Sequence, residues 1–323
     1  MPWVLRVMLK VPTIPKALLW PVCLAAVYFA GAPFGSAQGP VLPSTKLPAQ
    51  SPPRDVPLVE KKWEQLPAGS LENLSDLGKK ALSIDPAKWK HAETPNFLLH
   101  YRRATEAQKV AREVEFNLWF IANALGAPKD RYLGRSHVYV FEDAEEWKRF
   151  VALTPMPKWT ASFAFGDELF LNVRREPGSG NFDSQTLAHE TAHAVVARLY
   201  PGKEWPLWLS EGFAEYMGGA SVAARKSQTT RRFQSRLENA EMPLRTLEAL
   251  SAYPGDEALV HQLYQTSEKF VRFLMNELPK DRIVGFIDAV LAGKGMERSL
   301  LEVYSDQIKD WRTFEKRYER FTR

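Results

Sequence analysis

The chain has 323 residues, of which 45% are hydrophobic and 12% aromatic, which is enough for a sizeable core and excludes a disordered or collagen-like protein. Its formal net charge is +5, but Arg6, Lys10 and Lys16 lie in the first 37 residues, where no acidic residue occurs. Removing these three charges leaves +2 for the remainder, which argues against a broadly cationic, nucleic-acid-binding protein.

The first 37 residues have the pattern of a secretory signal peptide. A basic segment ends at Lys16, an apolar stretch follows at residues 17–32, and small residues lead up to Ala37, after which we expect cleavage. The alternative, a retained membrane anchor, is weaker because sixteen residues interrupted by Pro21 are short for a bilayer. The mature chain is therefore expected to be periplasmic or secreted, without a lasting membrane span. Cleavage removes Cys23, the only cysteine, which excludes disulfides and zinc–thiolate sites.

The predicted secondary structure changes along the chain from mixed strands and helices to helices alone. Strands are predicted at residues 97–101 and 137–141, and a hairpin at 162–165 and 168–173. Helical periodicity covers residues 104–125 and 142–151, and from residue 183 the pattern is helical almost to the end. This order predicts an α+β fold, in which a small mixed sheet with helices is followed by an all-helical region.

Composition divides the chain after the signal peptide (1–37) into three further parts. Residues 38–60 are rich in Pro, Ser and Gln and are predicted to form a linker. Residues 61–220 are predicted to form an α/β subdomain that carries the functional site, and residues 221–323 a helical C-terminal subdomain.

A pair of histidines one helical turn apart is the strongest chemical signal. His189 and His193 lie four residues apart in a helical pattern, so both imidazoles share one face and can bind one metal ion. Glu190 follows the first histidine and lies where it can take a proton from a water molecule. The alternative, an exposed polar turn, is disfavoured because the flanking residues are apolar.

A third ligand is expected, because two histidines leave a tetrahedral zinc ion one protein ligand short if water takes the fourth position. Glu211 lies in the apolar run 205–216, where a buried carboxylate needs a metal or an ion-pair partner. The alternative is that Glu211 and Glu215 both lie on the solvated face of an amphipathic helix. The need of the paired histidines for a third ligand favours Glu211 as that ligand.

The two motifs, HExxH and then Trp-Leu-x-Glu-Gly-x-Ala at residues 208–214, resemble those of the gluzincin metallopeptidases, which include thermolysin and the zinc aminopeptidases. The resemblance implies a thermolysin-like fold, one zinc ion held by His189, His193 and Glu211, and Glu215 as an acid that orients a ligand histidine. Ser210 stands where asparagine is usual, and the gap of seventeen residues before Glu211 is slightly shorter than is typical.

The flanking patterns are most similar to the peptidase-MA-like domains of bacterial exported proteins. They are a Thr-Pro-x-Phe strand at residues 94–97 and a Tyr-x-x-Ser pattern at residues 264–267, so the resemblance covers about residues 90–280. In related aminopeptidases a tyrosine on the corresponding helix stabilises the oxyanion, which makes Tyr264 a candidate for that role. A buried core tyrosine is an equally good interpretation. The other histidines, His91, His100, His137 and His261, are predicted to be structural.

The predicted function is zinc-dependent hydrolysis of a peptide or protein substrate, with Glu190 as general base. Gluzincins pair extended substrate with an edge strand, which implies this role for the strand at 168–173. No counterpart of the aminopeptidases' amine-recognition motif is found, which favours an endopeptidase. The first alternative is a non-catalytic binding protein on this scaffold. The second, a nucleic-acid or envelope-surface binder, is disfavoured because residues 309–323 alternate basic and acidic side chains.

Overall fold

The computed structural model describes residues 52–53, 55–67, 72–126, 134–158, 160–173, 184–225 and 241–322. The predicted signal peptide and most of the predicted linker lie outside them. The strands found there are β1 (Val59–Lys61), β2 (Lys90–Glu93), β3 (Phe97–Tyr101), β4 (Ser136–Phe141), β5 (Ser162–Phe165) and β6 (Glu168–Asn172). The α-helices found there are α1 (Asp76–Ser83), α2 (Ala104–Ala124), α3 (Ala144–Val151), α4 (Ser184–Leu199), α5 (Leu207–Arg225), α6 (Leu244–Ala249), α7 (Glu257–Glu277), α8 (Ile283–Leu291), α9 (Gly295–Val303) and α10 (Trp311–Thr322). The predicted α+β architecture is confirmed.

The sheet is mixed, with the strand order β1-β2-β3-β4-β6-β5. Its central strands β3, β4 and β6 run parallel, whereas β1, β2 and β5 are antiparallel to their neighbours. The predicted hairpin is present and turns at Gly166, whose positive φ of 58° suits glycine. The prediction that residues 168–173 form an edge strand is wrong, because β6 pairs with β4 on its other side. Among the described strands, β5 at residues 162–165 takes the edge position instead.

The two faces of the sheet carry different residues because side chains alternate along each strand. On the first face, Leu99, Val138 and Leu169 belong to a large core that includes residues of α2, α4, α5 and the C-terminal helices. On the second face, Phe141 and Phe170 belong to an aromatic core that includes residues of α1 and α3. The helix with the paired histidines therefore packs on the first face.

Three of the histidines form a chain across the second face. His91, His100 and His137 lie on the neighbouring strands β2, β3 and β4. The Nδ1 atoms of His91 and His100 are 2.8 Å apart, and His100 Nε2 lies 2.9 Å from His137 Nδ1. Burial lowers the pKa of His91 and that of His100, which favours the neutral rings that N–H···N hydrogen bonds require. These contacts agree with the predicted structural role of these histidines.

Helix α5 lies between α4 and α7 at very close range. A Cβ atom added to Gly212 would lie 2.3 Å from the carbonyl oxygen of Ser267 on α7. A Cβ atom added to Gly218 would lie 3.1 Å from the backbone nitrogen of His189 on α4. These two glycines let α5 approach both neighbours, so that α4, α5 and α7 form one packed unit. No helix in the described part of the chain combines the length and apolar character that a membrane crossing requires.

A buried carboxylate in the second face makes stability depend on pH. Glu168 accepts hydrogen bonds from the backbone N–H of Ser75, at 2.9 Å, and from its hydroxyl. Burial raises the pKa of Glu168 from an ordinary value near 4.5 to about 7. Between these values the folded protein binds one more proton than the unfolded chain, so the free energy of unfolding falls as pH rises, and it levels off above pH 7.

We expect Glu168→Gln to remove this pH-dependent part of the free energy of unfolding, which amounts to a change on the order of 3 kcal/mol between pH 4.5 and 7. The measurement is urea unfolding of parent and variant across that range. Glu72→Gln, which changes an exposed carboxylate, serves as the control and should leave the pH profile unchanged. If the free energies of unfolding of the parent and of Glu168→Gln changed in parallel with pH, the prediction would be contradicted.

Candidate metal centre

Helix α4 presents both histidines of the HExxH motif on one buried face. His189 and His193 are 2% and 8% exposed, and Glu190 is fully buried. The two Nε2 atoms lie 3.1 Å apart, as expected for side chains one helical turn apart. The flanking apolar residues bury this helix in the main core, so the alternative of an exposed polar turn is wrong.

Helix α5 brings Glu211 to the same place. Its Oε2 atom lies 3.5 Å from His189 Nε2, and its Oε1 atom lies 3.8 Å from His193 Nε2. The side chain of Glu211 is fully buried, so it does not lie on a solvated helix face. The helix is fixed from the other side by Trp208, whose ring packs edge-on against Phe270 at 5.4 Å.

The three side chains have the spacing that one zinc ion needs. Bonds of 2.0–2.2 Å in tetrahedral geometry separate neighbouring ligand atoms by about 3.3–3.5 Å. The two Nε2 atoms are 3.1 Å apart, and the Glu211 oxygen nearest each ring lies 3.5 Å from His189 Nε2 (Oε2) and 3.8 Å from His193 Nε2 (Oε1), all close to that range. Within the described ranges, no other group of three or more histidine, cysteine or acidic side chains comes together in this way. The donor set, two imidazoles and one carboxylate, also suits zinc.

Unpartnered buried oxygens show that the centre is short of positive charge. Both carboxylate oxygens of Glu190, and Oε2 of Glu211, are buried without a hydrogen-bond partner. Burial raises the pKa of Glu190 to about 8, although the charge of His189 and the amide of Ala164 oppose this shift. Burial alone would also raise the pKa of Glu211, but the neighbouring histidines outweigh it and hold that pKa below its usual range. A bound cation would compensate both carboxylates.

Each histidine has an oxygen beside its other ring nitrogen. Glu215 Oε1 lies 3.2 Å from His189 Nδ1, although the ring N–H does not point directly at it. Ser210 Oγ lies 3.2 Å from His193 Nδ1. Such contacts orient the ring and leave Nε2 available for a metal. The resemblance to gluzincins implied this position for Glu215, whereas the contact of Ser210 was not predicted, since Ser210 was interpreted only as a replacement of the usual asparagine. The hydroxyl within an apolar run was the available signal.

Two tyrosines from the C-terminal half lie at the centre. Tyr253 donates its hydroxyl hydrogen to Glu211 Oε1 at 2.6 Å, a contact that sequence reasoning missed. It lies in the connection between α6 and α7, where no periodic pattern marks it. Tyr264, on α7, is 8% exposed, and its ring centroid lies 6.3 Å from those of both His189 and Tyr253. The structure therefore places Tyr264, the predicted oxyanion donor, beside His189.

The sheet edge also reaches the centre. The carbonyl of Ala161 accepts a hydrogen bond from the backbone N–H of Asn172. Hydrogen-bonded and non-hydrogen-bonded pairs alternate along an antiparallel ladder. The backbone N–H and C=O of Ala164, three residues further along the chain in β5, therefore point away from β6. The backbone amide of Ala164 lies close enough to the carboxylate of Glu190 to lower its pKa, although neither carboxylate oxygen makes a full hydrogen bond. Among the described strands β5 has no neighbour on this side, so its outer edge runs past Glu190.

Comparison with protein-family models matches residues 128–321, more than half of the chain, to the Peptidase MA superfamily. The match includes α4, α5 and α7, which supply the residues described above. No curated protein and no solved structure is significantly similar to the chain.

Proposed function

The chain belongs to the peptidase MA superfamily, and we propose that it is a zinc-dependent metallopeptidase that hydrolyses peptide bonds in a peptide or protein substrate. The observation that carries this proposal is the convergence of His189, His193 and Glu211 beside Glu190 in one buried centre. No nucleic acid partner is proposed.

The ligands of the single zinc ion would be Nε2 of His189, Nε2 of His193 and Oε2 of Glu211. When bound, zinc supplies a Lewis acid that lowers the pKa of water toward neutrality and polarises a carbonyl group. Glu215 and Ser210 hold the two imidazoles in the required orientation through their Nδ1 atoms.

Proton transfer is assigned to Glu190. Its carboxylate lies beside the paired histidines and has no hydrogen-bond partner, so it is available to a water molecule. It accepts the proton of the attacking water and delivers it to the leaving amine. Tyr264 is proposed to donate a hydrogen bond to the developing oxyanion, since its ring lies beside that of His189.

Substrate is proposed to bind as an added strand along β5, rather than along residues 168–173. Within the described part of the chain no strand pairs with the outer edge of β5, and its Ala164 amide lies beside Glu190, so an extended peptide paired there would bring a carbonyl to the centre. Backbone pairing along a strand suits an internal peptide segment and favours an endopeptidase. On the sequence pattern alone, we propose export with cleavage after Ala37, to the periplasm or the extracellular medium.

A non-catalytic binding protein on the same scaffold is the alternative. Loss of the general base or of one ligand is the simplest route to such a protein. This chain keeps Glu190 together with His189, His193 and Glu211, which favours the enzyme.

Metal content tests the proposal directly. We expect the purified protein to hold one zinc ion per chain by mass spectrometry, and His193→Ala to lose it because only two ligands remain. Chelation should abolish cleavage of a peptide library, and added zinc should restore it. His91→Ala, on the second face of the sheet, is the matched control and should keep its zinc. A zinc content that is the same in the parent and in His193→Ala would contradict the proposed site.

A further inference from the structure

The contact of Tyr253 makes the two oxygens of Glu211 inequivalent. The phenol donates to Oε1 at 2.6 Å, whereas Oε2 has no hydrogen-bond partner and lies 3.5 Å from His189 Nε2. A carboxylate can bind a metal through one oxygen or through two. Here Oε1, which lies 3.8 Å from His193 Nε2, is already engaged by a neutral donor, and Oε2 is left without a donor beside His189.

We infer that Tyr253 is a positioning residue that makes Glu211 a one-oxygen metal ligand, an inference that rests on the proposed function. Rotation of Glu211 to bind through both oxygens would cost the hydrogen bond that Tyr253 donates to Oε1. Ligation through Oε2 alone would let His189, His193 and Glu211 hold a zinc ion with three protein atoms, which would leave a fourth position for solvent or substrate. Hydrogen bonds to ligating carboxylates also raise metal affinity.

The two helices that flank the connection, α6 and α7, fix the position of Tyr253. The helix before it, α6, ends at Ala249, where the Leu250 amide bonds to the Leu247 carbonyl. The helix after it, α7, begins beyond Asp256, whose side chain accepts from the Leu259 amide at 3.1 Å. Tyr253 is the residue of this short segment that reaches Glu211. The segment thus links the metal ligand to the helix that carries Tyr264.

The test compares zinc affinity, measured by chelator competition, in the parent and in Tyr253→Phe. We expect the variant to bind zinc 10–100-fold more weakly. Tyr216→Phe is the matched control, because it removes a phenol from α5 itself whose partner is Asn276, at 3.3 Å, and not a metal ligand. Its zinc affinity should stay within twofold of the parent.

Cobalt(II) substitution adds a spectroscopic measurement. The visible bands should be intense, as for four-coordinate cobalt, in the parent and in Tyr216→Phe, and weaker in Tyr253→Phe.

The outcomes separate this inference from the proposed function. A parent that binds no zinc contradicts the proposed function and the inference with it. A parent that binds zinc, with equal affinity and an equal cobalt spectrum in Tyr253→Phe, overturns the inference alone. Thermal unfolding in chelator checks the fold of each variant. A lower melting temperature of Tyr253→Phe with unchanged zinc affinity would show that the phenol supports only the connection, and this too overturns the inference.

Discussion

Glu190→Gln is expected to lower kcat for peptide hydrolysis by about 10²–10⁴-fold while one zinc ion remains bound. The amide has nearly the shape of the carboxylate but cannot accept a proton from water. The metal ligands His189, His193 and Glu211 are unchanged, so zinc content should stay at one per chain. Kinetics on a peptide substrate, together with metal analysis of the same preparation, measures both quantities.

Glu168→Gln provides the matched control, because it makes the same change at another buried glutamate on the second face of the sheet. It should keep full activity. Equal activity of the parent and Glu190→Gln would show that Glu190 is not the general base. A zinc-loaded parent that cleaves no peptide would instead support the non-catalytic alternative.

The sequence predicted those parts of the centre that depend on local periodicity. The spacing of His189 and His193 places both rings on one face of any α-helix, whatever surrounds it. Glu211 was found by a different route, since a carboxylate in an apolar run needs a partner and the paired histidines need a third ligand. Both arguments use short-range pattern, and the structure brings the three residues together.

The contacts that were missed depend on long-range pairing. Tyr253 lies 42 residues from Glu211 and is placed by the packing of two helices, which no local pattern encodes. The edge position of β5 was missed because a hairpin pattern does not say which of its strands pairs with the rest of the sheet. The short strands β1 and β2 were missed as well, since their residues at 59–61 and 90–93 are largely polar and only one of them, Ala92, is buried.

Gly212→Ala is expected to lower the free energy of unfolding by about 1–3 kcal/mol, although alanine is the better helix former by about 1 kcal/mol. The added methyl group would lie 2.3 Å from the carbonyl oxygen of Ser267, and a backbone atom cannot turn aside as a side chain can. Relief of the contact requires α5 and α7 to move apart. The measurement is denaturant unfolding in the presence of chelator, which separates fold stability from zinc binding.

The same substitution at Gly285 provides the control, because a Cβ atom there meets only a methyl group of Val303, at 3.8 Å. Gly285→Ala should therefore stabilise the protein by up to about 1 kcal/mol, following helix propensity alone. Gly212 directly follows Glu211, so the displacement that lowers stability should also move the third ligand. Zinc affinity should fall in Gly212→Ala and not in Gly285→Ala. A Gly212→Ala protein as stable as Gly285→Ala would show that α5 and α7 do not pack at this distance, and the position of Glu211 would then need another explanation.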